Sequence, residues 1–386
     1  MQPTPPFQWL YAPARPFTWG FIARVVIKAA ILFAALNVAF ALLAPLPALG
    51  RLSAYNALLP GRERLPYGEN PAESYNLSLY NLPAMLASHT WAAADEDDFR
   101  VLLVGDSSVW GILLEPDDTL AGQINRLGLR VEGRPVRAYN LGYPTMSLLK
   151  DLTLLDAALR EEPPPDLIVW LLTLESFARR DQLDTALLQN NPDTVRDLIA
   201  RYDLAQDAGD PRFVALDFWD ETIVGRRRDL ADLLRLQLYG AAWALTGVDQ
   251  AYGDYTPRAI DLSDDETWRG YGPGDLARDD LAFDILRAGV ARAGEAPVVL
   301  VNEPIFISQG ANSDVRYNAF YPRWAYDAYR AWLADEAQAA GWTLLDLWDA
   351  LPDAACYTDS PVHLTPACSA ALAQAIAAAL SDPADS

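Results

Sequence analysis

Two distant stretches of the chain hold residue types suited to nucleophilic catalysis by a serine. Ser107 follows a short apolar run and a glycine, and a serine at a strand-to-helix turn exposes both its hydroxyl and its backbone N–H. A serine hydroxyl is hardly ionised at neutral pH, so it needs a base. The chain has two histidines, and His89 precedes the first predicted strand, which leaves His363 as the candidate base. A helix-capping serine and a hydrogen-bonding histidine are the ordinary alternatives.

An acid close to the histidine could orient its imidazole ring. Asp359 lies on the same stretch as His363, just ahead of an alanine-rich helix pattern. Cys356 and Cys368 bracket this stretch, and we expect them to form a disulfide if the domain is outside the cytoplasm. Such a bridge would close a loop of about 13 residues, contribute roughly 3 kcal/mol and hold the histidine in place. Two unrelated buried thiols are the alternative.

The serine and histidine stretches belong to a region in which strand and helix patterns alternate. This alternation predicts an α/β fold, a three-layer sandwich with a central parallel sheet and helices on both faces. Ligands of such sheets bind beyond the carboxyl ends of the strands, which is where Ser107 falls. Apolar runs predict the strands at 100–104, 135–141, 166–172, 296–302 and 342–347, with helices near 117–128 and 147–160.

Residues 180–290 interrupt the alternation. They are rich in Asp, Arg, Tyr and Trp, with helix patterns near 193–203 and 227–246, and we interpret them as an inserted cap over the active edge of the sheet. Within them, residues 230–245 are apolar enough to touch a membrane surface, but core packing is the favoured interpretation. The domain itself is predicted to span 99–386, after a tether of residues 51–98 that is rich in turn-forming residues.

The N-terminal segment, residues 1–50, holds a candidate membrane anchor. Residues 29–50 contain no charged side chain, and as a helix they would span about 33 Å, enough for the apolar core of a bilayer. We expect an uncleaved transmembrane helix that ends near Pro45, with a cleaved signal peptide or a buried core helix as alternatives. Arg24 and Lys28 before the apolar run favour a cytoplasmic N-terminus and a domain outside the cytoplasm, although several arginines after the run weaken this bias.

The composition excludes several classes of function. The net charge of -22 argues against a nucleic-acid partner, because phosphate backbones require a basic face. The one basic cluster, Arg226 to Arg228, is interpreted as a solvated helix start. Two histidines and two cysteines are too few for a zinc site, so no cofactor or metal is expected, with an all-carboxylate metal site left open.

Taken together, the Ser107 and His363 stretches resemble the catalytic blocks of the SGNH (GDSL-like) hydrolases. The resemblance covers about residues 99–380 without the insertion. It implies a flavodoxin-like sandwich in which Ser107 is the nucleophile and His363 the general base, without a cofactor. The stretch Asn140-Leu141-Gly142 is similar to the family's second block, which implies that the N–H of Gly142 joins that of Ser107 in an oxyanion hole.

The chain departs from the family pattern in two places. The family usually places two residues between the acid and the histidine, whereas three follow Asp359 here and Ser360 occupies the usual acid position. The family's third block normally offers an asparagine after the third strand, where this chain has Thr173-Leu174-Glu175. Asn302, at the end of the strand pattern VVLVN, is a candidate for the missing oxyanion donor, and Thr173 is another.

These features predict a membrane-anchored serine esterase that acts on ester bonds of a cell-envelope glycan or lipid. An O-acyltransferase on the same fold is one alternative, because a sugar hydroxyl can replace water as the acyl acceptor. A non-catalytic envelope protein that binds glycans through its aromatic-rich insertion is another, and the two departures from the family pattern motivate it. The expected partners are the ester substrate and the membrane.

Overall fold

The structure, a computed structural model, describes residues 18–68, 77–161, 164–247 and 254–381. The Asn70-Pro71 turn of the predicted tether lies outside the described residues. The strands are β1 (Phe99–Val104), β2 (Arg130–Val131), β3 (Arg134–Asn140), β4 (Leu167–Leu172), β5 (Val298–Asn302) and β6 (Thr343–Asp346). The helices are α1 (Trp19–Leu43), α2 (Leu46–Gly50), α3 (Leu82–Ser88), α4 (Ser107–Trp110), α5 (Leu120–Arg126), α6 (Leu148–Glu161), α7 (Ala186–Gln189), α8 (Pro192–Tyr202), α9 (Arg227–Thr246), α10 (Phe283–Ala293), α11 (Arg323–Ala340) and α12 (Pro366–Ser381).

The order of the strands places the loop after β1 at the point where the winding of the sheet reverses. Across the sheet the order is β2-β3-β1-β4-β5-β6, and β2 alone runs antiparallel to its neighbour. Counted among the parallel strands, this is the 2-1-3-4-5 order of flavodoxin-like folds. Because β1 lies between β3 and β4, connections leave its two sides in opposite directions and open a crevice beyond its carboxyl end.

Successive side chains of the central strands belong to two separate cores. Leu102 and Val104 of β1 pack with α6, α10 and α11, whereas Val101 and Leu103 pack on the other face with α5 and α12. Strands buried on both faces read as continuous apolar runs, as the five strand patterns in the sequence do. The predicted fold class, a three-layer α/β sandwich with a central and largely parallel sheet, is confirmed.

Residues 51–98 differ from their prediction as a tether. Where they are described they pack into the domain, and Leu65, Met85 and Trp91 are fully buried. The Trp91 indole N–H also donates to the carbonyl of Ala158 on α6 at 3.3 Å. Turn-forming residues mark where a chain reverses direction, but they do not determine whether the side chains between the turns are buried. The described part of this segment is therefore a component of the core.

His89, in the same segment, is a structural residue. Its side chain is fully buried, and burial lowers its pKa to about 4, so the ring is neutral at physiological pH. Its Nδ1 accepts from the Trp91 N–H at 3.0 Å and its Nε2 donates to the Glu63 carbonyl at 3.2 Å. Both ring nitrogens are thus used inside this segment, where they fix the position of residue 63 relative to residues 89–91.

The predicted insertion of residues 180–290 holds α7, α8, α9 and a long irregular stretch. Part of that stretch lies against the loops that follow β5, where the Leu262 N–H donates to the Ala311 carbonyl at 3.0 Å. One face of α9 is packed as expected, because the Tyr55 hydroxyl donates to the Leu236 carbonyl at 3.1 Å and Trp243 is buried. The opposite face of α9 exposes apolar side chains, Leu238 among them.

The described chain divides into two compact units, residues 18–45 with 216–230 and residues 46–215 with 231–381. The first unit contains α1, whose 25 residues end at Leu43, two positions before Pro45. Most residues of α1 are apolar and few are buried, so its length and composition would allow it to cross a membrane. It begins ten residues before the uncharged run because Arg24 and Lys28 continue the same helix.

Candidate functional site

The turn between β1 and α4 presents Ser107 at the carboxyl edge of the sheet. Asp106 caps the helix, because its carboxylate accepts from the Ser108 N–H at 2.8 Å. Gly105 is required by space, since a Cβ there would approach a methyl group of Val109 to 2.6 Å. Ser107 is thus the first residue of α4, and among the described residues its backbone N–H donates to no protein oxygen.

The histidine lies on a tight loop between β6 and α12. The Thr358 N–H donates to the His363 carbonyl at 2.9 Å, and the Thr365 N–H donates to the Cys356 carbonyl at 2.8 Å, which closes the loop like a short hairpin. At its base, Cys356 and Cys368 form a disulfide with a Cα–Cα distance of 5.4 Å. These bonds restrict the movement of the loop that carries the imidazole ring.

Ser107, His363 and Asp359 form one continuous chain of hydrogen bonds. The Ser107 Oγ lies 2.8 Å from the His363 Nε2, although 256 residues separate them in sequence. The His363 Nδ1 lies 2.8 Å from the Asp359 Oδ1. For Nε2 to accept the serine proton, Nδ1 must carry the ring proton and donate it to the carboxylate. Ser107 and His363 are each only 8% exposed, so the hydrogen bond between them is shielded from bulk water.

Asp359 is held in its ionised form. Partial burial acts to raise its pKa, but the hydrogen bond and the charge of His363, with the Thr358 hydroxyl donating at 3.1 Å, outweigh burial and lower the pKa below its ordinary value. The carboxylate therefore stays charged at any pH at which an imidazole titrates. The irregular spacing does not keep the acid from the histidine, because the hairpin turn brings positions 359 and 363 side by side.

The insertion contributes a contact that the sequence did not predict. The Arg258 guanidinium donates to the Tyr357 carbonyl at 2.5 Å, and its backbone N–H donates to the Thr358 carbonyl at 3.1 Å. The same guanidinium lies 4.0 Å from the ring centre of Phe306, on the loop after β5. Arg258 thereby ties the insertion to the loop that carries the histidine. Exposed arginines are common in this chain, so the sequence offered no signal for this one.

Gly142 is positioned by space as well as by hydrogen bonding. A Cβ at this residue would lie 2.4 Å from the backbone nitrogen of Trp110, so only glycine lets the loop after β3 pack against α4. Its N–H, the expected second oxyanion donor, donates to the Asn140 side-chain oxygen at 3.0 Å. An oxyanion contact from Gly142 therefore requires that bond to be exchanged, whereas the Ser107 N–H has no acceptor to give up within the described part of the chain.

The residues considered as a third oxyanion donor are occupied elsewhere. The Asn302 amide donates to the Asp346 carboxylate at 2.7 Å, and its oxygen accepts from the Tyr329 hydroxyl at 3.2 Å. The Thr173 hydroxyl is bonded to that of Tyr321 at 2.9 Å. Asn302 joins β5 to β6 and to α11, so the geometry assigns it a structural part and does not support the expected contact to substrate.

Glu303, one residue beyond Asn302, is the side chain that reaches the serine turn. The Ser108 hydroxyl donates to its Oε2, while its Oε1 has no partner among the described residues. Full burial, followed by the negative charge of Asp106, raises the pKa of Glu303 well above its ordinary value. Both effects favour the neutral acid over the carboxylate. Its position directly after β5 is a signal in the sequence, but the pattern alone does not distinguish Glu303 from Asn302.

A buried ion pair lies beneath the same turn. The Lys150 ammonium donates to the Gly105 carbonyl at 2.8 Å and to the Tyr143 carbonyl at 2.9 Å, and it lies 2.5 Å from the Asp151 carboxylate. One buried cation faces the carboxyl groups of Asp106, Asp151 and Glu303 here. Because it can balance only part of their charge, a neutral Glu303 is the electrostatically favoured state.

A serine that shares its proton with a histidine is suited to ester hydrolysis, which p-nitrophenyl acetate assays as a trial substrate. In that assay Asp359→Ala should reduce kcat/KM by about 10²–10⁴-fold, because the imidazole loses the partner that fixes its tautomer. Ser360→Ala is the matched control, because residue 360 occupies the position where the SGNH pattern usually has the acid. We expect this variant to retain activity within about twofold of the wild type. Steady-state kinetics on the full chain in detergent measure both. An equal loss of kcat/KM in Asp359→Ala and Ser360→Ala would show that Asp359 is not the residue that orients the imidazole ring.

Replacing Glu303 with glutamine should change how stability depends on pH. Glu303 holds its proton to a higher pH in the folded protein than in the unfolded chain, because its folded pKa is raised. Its contribution to the free energy of unfolding is therefore fully present below the ordinary pKa and is lost as pH rises through the folded pKa. Between pH 5.5 and 8.5 the free energy of unfolding of the wild type should fall relative to Glu303→Gln by at least about 1 kcal/mol. Urea denaturation at each pH measures the free energy of unfolding. The control is Glu295→Gln, which removes an exposed carboxyl, and its difference from the wild type should not change with pH.

Reducing the disulfide should destabilise the protein and slow any reaction that uses His363. The bridge spans 12 positions, and the chain-entropy model gives about 3 kcal/mol for a loop of that size. Denaturation with and without dithiothreitol measures the loss, and since the chain has two cysteines, reduction acts on this bridge alone. The double variant Cys356→Ser with Cys368→Ser should not respond to the reductant. An unchanged unfolding free energy on reduction would refute the stabilising role.

No protein-family model matches the chain, and comparison with curated proteins finds no match. Solved structures do match. One, from Desulfitobacterium hafniense DCB-2, is described as a lipolytic protein of the G-D-S-L family; it is 11% identical, with a TM-score of 0.34, and the match covers 73% of this chain and 99% of that one. Another, from Agrobacterium tumefaciens str. C58, is described as an arylesterase; it is 14% identical, with a TM-score of 0.32, over 73% and 98% of the two chains. At these values the functional conclusion has to rest on the geometry of the site.

Proposed function

We propose that this chain is a serine hydrolase of the SGNH type that acts on ester bonds. In this proposal Ser107 is the nucleophile, His363 the general base and Asp359 the residue that orients the imidazole. The observation that carries it is the unbroken hydrogen-bond chain from carboxylate to ring to hydroxyl, with both links at 2.8 Å. A role in capping the helix does not require a hydrogen bond from the serine hydroxyl to a buried imidazole on a distant loop.

The proposed reaction follows from this geometry. The Ser107 Oγ attacks the ester carbonyl carbon while its proton passes to His363 Nε2, and the Asp359 carboxylate stabilises the imidazolium that forms. The free N–H of Ser107 donates to the carbonyl oxygen as it gains negative charge. Nε2 then returns the proton to the departing alkoxide, which leaves an acyl-serine. Water then attacks the acyl carbon while Nε2 takes its proton. As the bond from that carbon to the Ser107 Oγ breaks, Nε2 returns the proton to Oγ, and the acid is released.

The anchor and the compartment form the second part of the proposal. As a helix of 25 residues, α1 is about 38 Å long, which exceeds the apolar thickness of a bilayer, and its side chains are mostly exposed. We propose that α1 holds the domain at the membrane and outside the cytoplasm. The disulfide between Cys356 and Cys368 supports this location, because such bridges persist in oxidising compartments. A membrane-held esterase would meet lipid esters or O-acylated glycans of the cell envelope.

Two alternatives differ in the fate of the acyl group. An O-acyltransferase would use the same acyl-serine and pass the group to a sugar hydroxyl, so the products with and without an added sugar acceptor separate the two activities. A non-catalytic glycan-binding protein is motivated by the irregular spacing of the acid and the histidine and by the missing asparagine of the third block. The 2.8 Å contact between Asp359 and His363 argues against the first motive. The second motive stands, because Asn302 and Thr173 are bonded elsewhere. We favour catalysis because the hydrogen-bond chain from carboxylate to hydroxyl is unbroken.

A fluorophosphonate probe tests the nucleophile directly, because it bonds covalently only to a serine whose hydroxyl is activated. The wild type should be labelled, and Ser107→Ala should not. Ser108→Ala is the matched control, since the Ser108 hydroxyl donates to Glu303 and not to a histidine, and it should keep at least about half of the labelling. Intact-protein mass spectrometry measures the adduct. Equal labelling of Ser107→Ala and wild type, or none in wild type, would refute the assignment.

A further inference from the structure

Within the first unit, a short loop lies against the side of α1. This loop, residues 216–226, directly precedes α9, and its Val224 N–H donates to the Asn37 Oδ1 at 3.2 Å. Asn37 is 7% exposed, whereas its neighbours Phe33 and Leu36 on the same helix are more than half exposed. The other polar group of Asn37 is satisfied within the helix, because its amide donates to the Phe33 carbonyl at 3.0 Å. The loop therefore covers the one polar side chain in the apolar part of this fully described helix.

The loop turns its apolar side chains outward. Leu216, Phe218 and Val224 are 40–47% exposed, and Trp219 is 70% exposed. The Phe218 and Trp219 rings are in edge contact, with their centres 5.5 Å apart. Adjacent exposed aromatic and aliphatic side chains of this kind are uncommon on a surface that faces water, and they mark a surface that is covered in use.

The acidic side chains of the loop are bonded to the loop itself. The Asp217 carboxylate accepts from the N–H groups of Trp219 and Asp220 at 2.7 and 2.9 Å, and Asp220 accepts from the Asp217 N–H at 3.0 Å. Glu221 is paired with Arg226 at 2.8 Å. These bonds offset part of the cost of bringing carboxylates close to an apolar medium. The loop is thus a folded element whose charged side chains are bonded to one another and to its backbone, while its apolar side chains face outward.

The position of Asn37 sets the depth of the loop. Six residues separate Asn37 from Leu43, the end of α1, which corresponds to about 9 Å along the helix axis. Interfacial elements lie about 5–10 Å into the boundary between headgroups and acyl chains. If α1 spans the bilayer, any element packed against Asn37 lies at this depth. Tryptophan is the residue type that favours this region, because its ring is apolar and its N–H is polar.

We propose that residues 216–226 form a membrane-inserted loop that docks the protein on the lipid surface beside its own anchor, with Phe218 and Trp219 at the boundary between headgroups and acyl chains. The inference rests on the anchoring role proposed for α1 and is independent of the catalytic one. Exposed Arg227 and Arg228 follow the loop in sequence, but the four acidic residues of positions 217–229 outnumber the three arginines there. Insertion is therefore driven by apolar contact, and it should not need anionic lipid.

The test places an environment-sensitive fluorophore on single introduced cysteines in the full chain, under non-reducing conditions that leave the native bridge intact. The three variants are Trp219→Cys in the loop, Leu32→Cys in α1 and Ile260→Cys, an exposed apolar residue outside both. Each is reconstituted into phosphatidylcholine vesicles and quenched either by a nitroxide on the lipid chains or by aqueous iodide. We expect the Trp219→Cys label to be quenched by lipid at least threefold more than the Ile260→Cys label and to be shielded from iodide, with no added effect of phosphatidylglycerol.

Other outcomes overturn the inference in distinguishable ways. If lipid quenches the Leu32→Cys label but iodide quenches the Trp219→Cys label, then α1 is in the bilayer and the loop is in water. That result would support the anchor and refute the inserted loop. Shielding of the Trp219→Cys label from both quenchers would mean that protein covers it, as in contact between two copies. If lipid quenches neither label, the anchor and the loop both fail. Fluorophosphonate labelling of Ser107 on the same samples reports the catalytic proposal separately.

Asn37→Leu tests the attachment of the loop to the helix. The change makes α1 more apolar, so the helix should stay in the bilayer while the bond to Val224 is lost. We expect lipid quenching of the Trp219→Cys label to fall by at least about twofold and that of the Leu32→Cys label to stay unchanged. An unchanged Trp219→Cys signal would refute the role given to Asn37.

Discussion

The hydrogen bond between Ser107 and His363 places the strictest demand on the fold. Its two side chains come from turns 256 residues apart in sequence, and they have to meet within 2.8 Å. The parallel sheet makes this possible, because the carboxyl ends of its strands lie along one edge and every loop that follows a strand reaches the same side. Space then fixes the fine position: at Gly105 and Gly142 a single Cβ would push the serine turn away from its neighbours.

Charge is the second constraint on this edge. A buried lysine, two aspartates and a glutamate surround the turn that carries Ser107, and water does not screen them. Lys150 holds two backbone carbonyls and Asp151, which fixes the turn from below. Burial and the neighbouring charge of Asp106 raise the pKa of Glu303 and favour its neutral form, since the ionised form would add negative charge beside Asp106. The positions of the polar groups and their protonation states therefore depend on each other.

The sequence predicted the sheet well because buried parallel strands leave a local signal, a short run of apolar residues with a turn at its end. It also predicted Ser107, His363 and Asp359 as the residues to inspect, and the structure brings these three together. Three features were not predicted from the sequence: the burial of Trp91, the contact of Glu303 with the serine turn, and the hydrogen bonds from Arg258 to the histidine loop. Each depends on which distant segments pack together, and no local sequence pattern records that.

Ser107 and His363 are 256 residues apart, so they are synthesised at different times. At about 5–20 residues per second, His363 follows Ser107 by roughly 13–50 s. The hairpin that presents the His363 ring then has to fold and be crosslinked. The hydrogen bond between the hydroxyl and this imidazole, and with it the ester chemistry proposed above, therefore requires that the later segments have been made, folded and oxidised.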